Sequence, residues 1–178
     1  KHQFKRREAV LWAVLGTRVG PPVAFAVPIY DMMMRLRLID THIALVVLYV
    51  FANLAFVIWL MHGFFRETDR SVEEAAMLDG LDELGVFLKI SLPMVLPGLV
   101  AAATLVFILS WNEFFYALVL TRSAASTVPV LIPSFFGAFE IEWGAMFAAC
   151  LMGSLVPIVL GVMVRKFLVR GLTMGAVR

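Results

Sequence analysis

Residues 71–93 read SVEEAAMLDGLDELGVFLKISLP, a charged, helix-forming insert set between two apolar segments, about 43–62 and 94–120, each long enough to cross a membrane. About 20 mostly apolar residues cross roughly 30 Å of hydrocarbon, and two further segments, about 9–33 and 144–164, also qualify. Lipid offers an open backbone no hydrogen-bond partner, so each crossing must be helical. The expected fold is all-α and integral to the membrane: a polytopic helical bundle, one domain over 1–178, with four spanning helices and a polar loop at about 63–93.

The composition supports this and excludes most alternatives. Hydrophobic residues make up 62% of the 178, charged residues only 16%, and the mean hydropathy is +0.93, values unsuited to a soluble domain of this size. A net charge of +2 gives no footing for nucleic acid. Cys150 is the one cysteine and lies in an apolar run, so neither a disulfide framework nor a Cys-rich metal site is available. The first residues, KHQFKRRE, are basic and lead into a long span without a small-residue cleavage site, which is not a signal peptide. Beginning at Lys1 without a Met, the chain is expected to be the C-terminal portion of something longer.

Placement of the basic residues sets an orientation. Eleven of the 15 Lys and Arg fall before the first span, in the loop after the second, or after the last. The positive-inside bias therefore puts both ends of this chain and the 71–93 loop in the cytoplasm, and segments 35–42 and 122–143 outside. The first span is interrupted by Arg18 and by Gly20-Pro21-Pro22. Either it is a broken helix lining a path, or it is a kinked one whose Arg18 snorkels to the interface.

Within the loop, Ser71 followed by Glu74 has capping-box spacing and predicts a helix from Val72. Gly80 can take the left-handed conformation that ends it, and Asp82 is placed to cap a second helix running to Pro93. Ala75 and Ala76 keep one side small, while Glu73, Glu74 and Asp79 supply charge for basic groups. The pattern fits a surface on which another protein docks; it also fits an amphipathic interfacial helix that only joins two spans.

The full spacing shifts the balance toward docking through a resemblance. Glu74-Ala75-Ala76, three residues, Gly80, nine residues, then Ile90-Ser91-Leu92-Pro93 resembles the EAA signature of permease subunits in bacterial binding-protein-dependent ABC importers. The run Trp111-Asn112-Glu113-Phe114 and the tail RGLTMGAV at 170–177 are similar to the carbohydrate-uptake branch of that family. The resemblance covers nearly the whole chain and implies a type I importer permease fold with further N-terminal spans. It implies that Glu74, Ala75, Ala76, Asp79, Gly80, Ile90, Leu92 and Pro93 form the coupling helix region that fits a cleft in an ATP-binding subunit. Leu81 stands where carbohydrate importers often carry a small Ala. The implied partners are two ATP-binding subunits, a second permease subunit, an extracytoplasmic solute-binding protein and the lipid of the bacterial inner membrane.

No catalytic constellation is present in the sequence. There is no G-x-x-x-x-G-K-[ST] to cradle phosphates, so ATP and Mg belong to partner subunits and no cofactor is expected on this chain. His2, His42 and His62 are scattered, and neither H-E-x-x-H nor G-x-S-x-G occurs.

Polar groups inside the spans are the remaining candidates. Ser110, Asn112, Glu113 and Tyr116 sit within the third apolar segment, and Tyr49 and Asn53 lie four apart in the second. Ionisable groups at such depth usually face a cavity or a partner. Tyr49, Asn53, Asn112, Glu113 and Tyr116, beside the Trp111 ring, suit a path for a polyhydroxylated solute; interhelical hydrogen bonding is the alternative. The sequence thus points to an import permease for a sugar or sugar derivative. A permease for peptide, amino acid or phosphate, or a non-transporting membrane scaffold, would share the same loop.

Overall fold

A computed structural model of the protein describes Gly16, residues 20–137 and residues 142–174, with side chains of the final helix given to residue 165. Arg18, most of the 9–19 stretch of the first expected span and the side chains of the 170–177 tail lie outside the described residues.

The described elements are all helical. They are α1 (Pro22–Arg35), α2 (His42–Glu67), α3 (Arg70–Leu78), α4 (Glu83–Val86), a π-helical turn (Phe87–Ser91), α5 (Leu92–Trp111), α6 (Phe115–Leu120), α7 (Val128–Leu131), a 3₁₀ turn (Ile132–Phe135) and α8 (Trp143–Met174). Three helices among the described residues are long and apolar enough to cross a membrane: His42–Glu67, Glu83–Trp111 and Trp143–Arg165. At 1.5 Å per residue they rise roughly 35–45 Å, enough to span with polar ends exposed.

Local chemistry explains the boundaries. Thr41 caps α2, its hydroxyl accepting the Ala44 amide at 3.2 Å. The apolar residues of α2 then run nearly all round the helix, as lipid requires. The segment expected as a span over 94–120 ends at Trp111 instead. Asn112 turns its amide back onto the Ile108 carbonyl at 2.8 Å, and the Glu113 carboxylate takes the amides of Tyr116 and Ala117 at 2.9 and 3.1 Å. Side chains thereby substitute for the helical ladder, and the chain restarts as α6.

Pro93 does not stop the second loop helix as the sequence reading expects. Glu83–Trp111 runs on without a break, through a π-helical turn whose wider winding lets the proline ring clear the preceding carbonyls. The loop helix and the spanning helix are therefore one rod.

The core lies where α1, α2 and α6 meet. Met33, Ala44, Leu45, Leu48, Ala117 and Leu120 are buried together there, at the end of α2 remote from α3. Leu120 is fully buried there, and in a membrane its contribution comes from close packing rather than from leaving water. Elsewhere α5 packs against both α2 and α8. The most apolar stretch of α8 is only 6% buried, so its flank is left for lipid or another subunit.

Candidate functional site

Three polar assemblies stand out, one at each end of the bundle and one between. At the loop end, Asp69 rather than Ser71 caps α3, its carboxylate accepting the Ser71 amide at 2.9 Å. The helix thus begins at Arg70, and the expected capping box does not form: Glu74 pairs with Arg70 at 3.1 Å, both largely exposed. An exposed pair of this kind adds well under 1 kcal/mol, which leaves Glu74 available to a partner.

Gly80 ends α3 with φ +91°, a left-handed conformation that glycine adopts without penalty. Asp82 caps α4 through the Gly85 amide at 3.0 Å, as its sequence position predicts. The two alanines part company: Ala75 is exposed and Ala76 is buried. Asp79 and Pro93 are exposed, Ile90 and Leu92 half-buried. Leu78, which no sequence motif singles out, is an apolar side chain 90% exposed two residues before Gly80. An isolated exposed leucine needs no explanation, but here it stands beside Met77, Ala75 and Glu74 on one short, capped helix.

Between the ends, a cavity of about 590 Å³ opens beside Tyr49, Asn53, Glu113 and Tyr116. Apolar walls come from Phe25, Ile29 and Leu48 among others. The Tyr49 hydroxyl donates to Glu113 Oε2 at 3.0 Å, and Asn53 Nδ2 donates to the Tyr49 carbonyl at 2.9 Å and to Ser110 Oγ at 3.3 Å. Four of the five candidate path residues are thus brought together. Asn112 is not among them: it is exposed and bonded to its own helix. Trp111 also leaves the cavity, stacking on Phe107 at 5.6 Å and donating its indole N–H to the Gly153 carbonyl at 2.9 Å. Glu113 is already occupied, since its two oxygens accept from Tyr49, Tyr116 and Ala117.

At the far end, Asp40 clasps a loop some eighty residues away. Its carboxylate accepts the amides of Arg122, Ser123, Ala124 and Ala125 at 2.9–3.2 Å, while its own amide donates to the Leu120 carbonyl at 2.8 Å. The Arg122 amide, then those of Ala124 and Ala125, hold this carboxyl well below the usual carboxylate range. Asp40 has φ +60°, and a short polar residue tolerates that best after glycine. No local pattern in the sequence pairs Asp40 with the Ser-Ala-Ala-Ser run at 123–126.

Known proteins place this geometry in context. The family model described as binding-protein-dependent transport system inner membrane component matches residues 2–173. A probable ABC transporter permease protein, y4oR, of Sinorhizobium fredii is 41% identical over 177 residues, covering 99% of this chain and 64% of the relative. The trehalose/maltose transport system permease protein MalG of Thermococcus litoralis is 33% identical, covering 99% and 64%. The sulfoquinovosyl glycerol transport system permease protein SmoH of Agrobacterium fabrum is 31% identical, covering 98% and 62%. The chain thus spans a little under two thirds of the length of these relatives.

Proposed function

The chain belongs to the binding-protein-dependent transport system inner membrane component family, and from that premise we propose that it is the permease subunit of an ATP-driven importer for a sugar or sugar derivative. The observation that carries the coupling part is the continuity of Glu83–Trp111 behind a short helix presenting Glu74, Ala75 and Leu78. In this reading α3 and the Gly80 turn sit in the cytoplasm against an ATP-binding subunit. The 83–111 rod carries force from that contact into the membrane.

The bundle pairs with a second permease along apolar flanks such as that of α8. Two ATP-binding subunits hold ATP and Mg, and the 122–143 side receives solute from an extracytoplasmic binding protein. ATP binding closes the ATPases and biases the bundle between inward-open and outward-open states; the permease itself makes and breaks no covalent bond.

The sugar assignment is supported by the cavity chemistry, in which the Tyr116 and Asn53 side chains lie beside the Phe25 and Phe51 rings. The names of two relatives, for trehalose/maltose and sulfoquinovosyl glycerol, support it as well.

The test is reconstitution of the full-length protein with its partner permease, ATPases and binding protein, with trehalose, maltose and sulfoquinovosyl glycerol as probes. Uptake should require ATP, and Glu74→Lys and Gly80→Pro should lose both the ATPases and the uptake while the permease still inserts. If the ATPases stay bound and flux is unchanged in both variants, the coupling reading fails. ATP-driven uptake of peptides or phosphate but none of the three sugars would overturn the solute class alone.

A further inference from the structure

Glu73 and Glu74 are neighbours in sequence with opposite environments. Glu74 is exposed beside Arg70, whereas Glu73 is buried, and Ser91 Oγ, also buried, donates to Glu73 Oε1 at 2.8 Å. The bond crosses from α3 to the last residue of the π-helical turn, one position before α5 begins. We propose that the Glu73–Ser91 hydrogen bond is the link through which displacement of α3 enters the spanning helix, with both as positioning residues; this rests on the reading that α3 docks an ATPase.

The covalent route between the two helices is poorly suited to carry force. It runs through Asp79, the left-handed Gly80, Leu81 and the Asp82 cap, a tight turn with a conformationally permissive residue at its centre. A push on α3 can be absorbed there. The lateral contact is different. Ala76 and Val86 are buried where α3 faces α4 and the π turn, and Glu73 and Ser91 are buried as well. A carboxylate–hydroxyl bond in such a place is stronger and less screened than one at the surface.

Its attachment point matters too. A π turn is a weak place in a helix, with one hydrogen bond displaced, and such turns commonly mark positions that re-register. The Leu92 amide reaches back to the Phe87 carbonyl in this winding. Pulling on Ser91 therefore acts where the rod is most easily rewound and just before its membrane part.

Hydrogen exchange on the assembled full-length complex, with and without ATP on the ATPases, tests this without a transported solute. In the wild type, ATP should change exchange in residues 70–78 and in residues 94–99 together. Ser91→Ala and Glu73→Ala should confine the change to 70–78, with the response at 94–99 lost. Ser91→Thr keeps the hydroxyl and Glu73→Gln keeps an acceptor oxygen, so both should restore it; a purely structural defect would not sort the variants by hydrogen-bonding capacity.

If Ser91→Ala and Glu73→Ala leave the 94–99 response intact, the link is wrong and the docking reading stands. A wild-type response in 70–78 alone also overturns the link. No ATP response at 70–78 in the wild type overturns the docking reading, and the link with it.

Discussion

The indole N–H of Trp111 donates to the carbonyl of Gly153 at 2.9 Å, and Gly153 stands four residues before Pro157 inside α8. In a regular helix that carbonyl would accept from the residue at 157, but proline has no N–H to give. Trp111 supplies from α5 the donor that α8 lacks. The contact joins the two helices at the spot where the proline loosens one of them.

The Trp111 bond can be isolated by a double-mutant cycle. Trp111→Phe keeps the ring but leaves the Gly153 carbonyl unpaired, and should cost about 1 kcal/mol, the scale of hydrogen bonds between helices in membranes. That corresponds to a fall in Tm of roughly 2–4 °C for a chain of this size. In a Pro157→Ala background the backbone supplies its own donor, and Trp111→Phe should then cost little. Thermal unfolding in nanodiscs checks it: equal losses in both backgrounds would mean that Trp111 acts by packing alone.

Much of the architecture was legible because it depends on length and hydropathy. The apolar runs, the left-handed Gly80 and the Asp82 cap all follow from single residues acting on their own backbone. What the sequence hid depends on competition or on distance. Asp69 wins the α3 cap from Ser71 because its carboxylate reaches the free Ser71 amide and Arg70 draws Glu74 away. The break after Trp111 arises because the Glu113 side chain competes for amides that hydropathy assigns to one long helix. The path candidates share a helical spacing, but spacing cannot show that Asn112 turns back onto Ile108. Glu73–Ser91 and the Asp40 clasp join positions far apart in sequence, where no local pattern speaks.

The Asp40 clasp predicts an unusual acid resistance in the 122–125 loop. The carboxyl has its pKa lowered in the folded state, so its contribution is fully present above the ordinary Asp value near 4 and is lost only as pH falls through the depressed one. Amide exchange at residues 122–125, corrected for the intrinsic pH effect, should stay protected at about pH 4 and open only at clearly lower pH. Asp40→Asn retains the left-handed backbone but offers one acceptor oxygen instead of two, and should open the loop at neutral pH. Protection that titrates near 4 in the wild type would contradict the clasp.

Glu113 is expected to act as the splice between α5 and α6 rather than as a free carboxylate for cargo. Three donors converge on it, from Tyr49, Tyr116 and Ala117. Glu113→Ala strands all three and should lower stability by about 3 kcal/mol, with uptake falling in step. Tyr49→Phe removes one donor and should cost about 1 kcal/mol. Glu113→Gln, with one acceptor oxygen, should fall between. Unfolding and uptake measured on the same preparations decide the matter: a Glu113→Gln protein of wild-type stability that transports nothing would make the carboxylate a cargo contact instead.

The crossing of α2 and α5 depends on a missing side chain. A Cβ built on Gly98 would lie 2.4–2.6 Å from Cγ and both Cδ atoms of Phe64, inside any allowed contact. These atoms are the root of the ring rather than its flexible tip, so the clash cannot be relieved by a small swing. Gly98→Ala must therefore either expel the Phe64 ring or part the helices, at a cost of about 1–3 kcal/mol for an overpacked site. Shrinking the opposing side chain should give the space back: Gly98→Ala with Phe64→Ala should be more stable than Gly98→Ala alone, although Phe64→Ala by itself destabilises by leaving a void. Such a sign change cannot come from two independent losses. If the double variant is simply the sum of the two, the helices do not meet through Gly98 and Phe64, and the packing of the spanning rod against α2 would have to be redrawn.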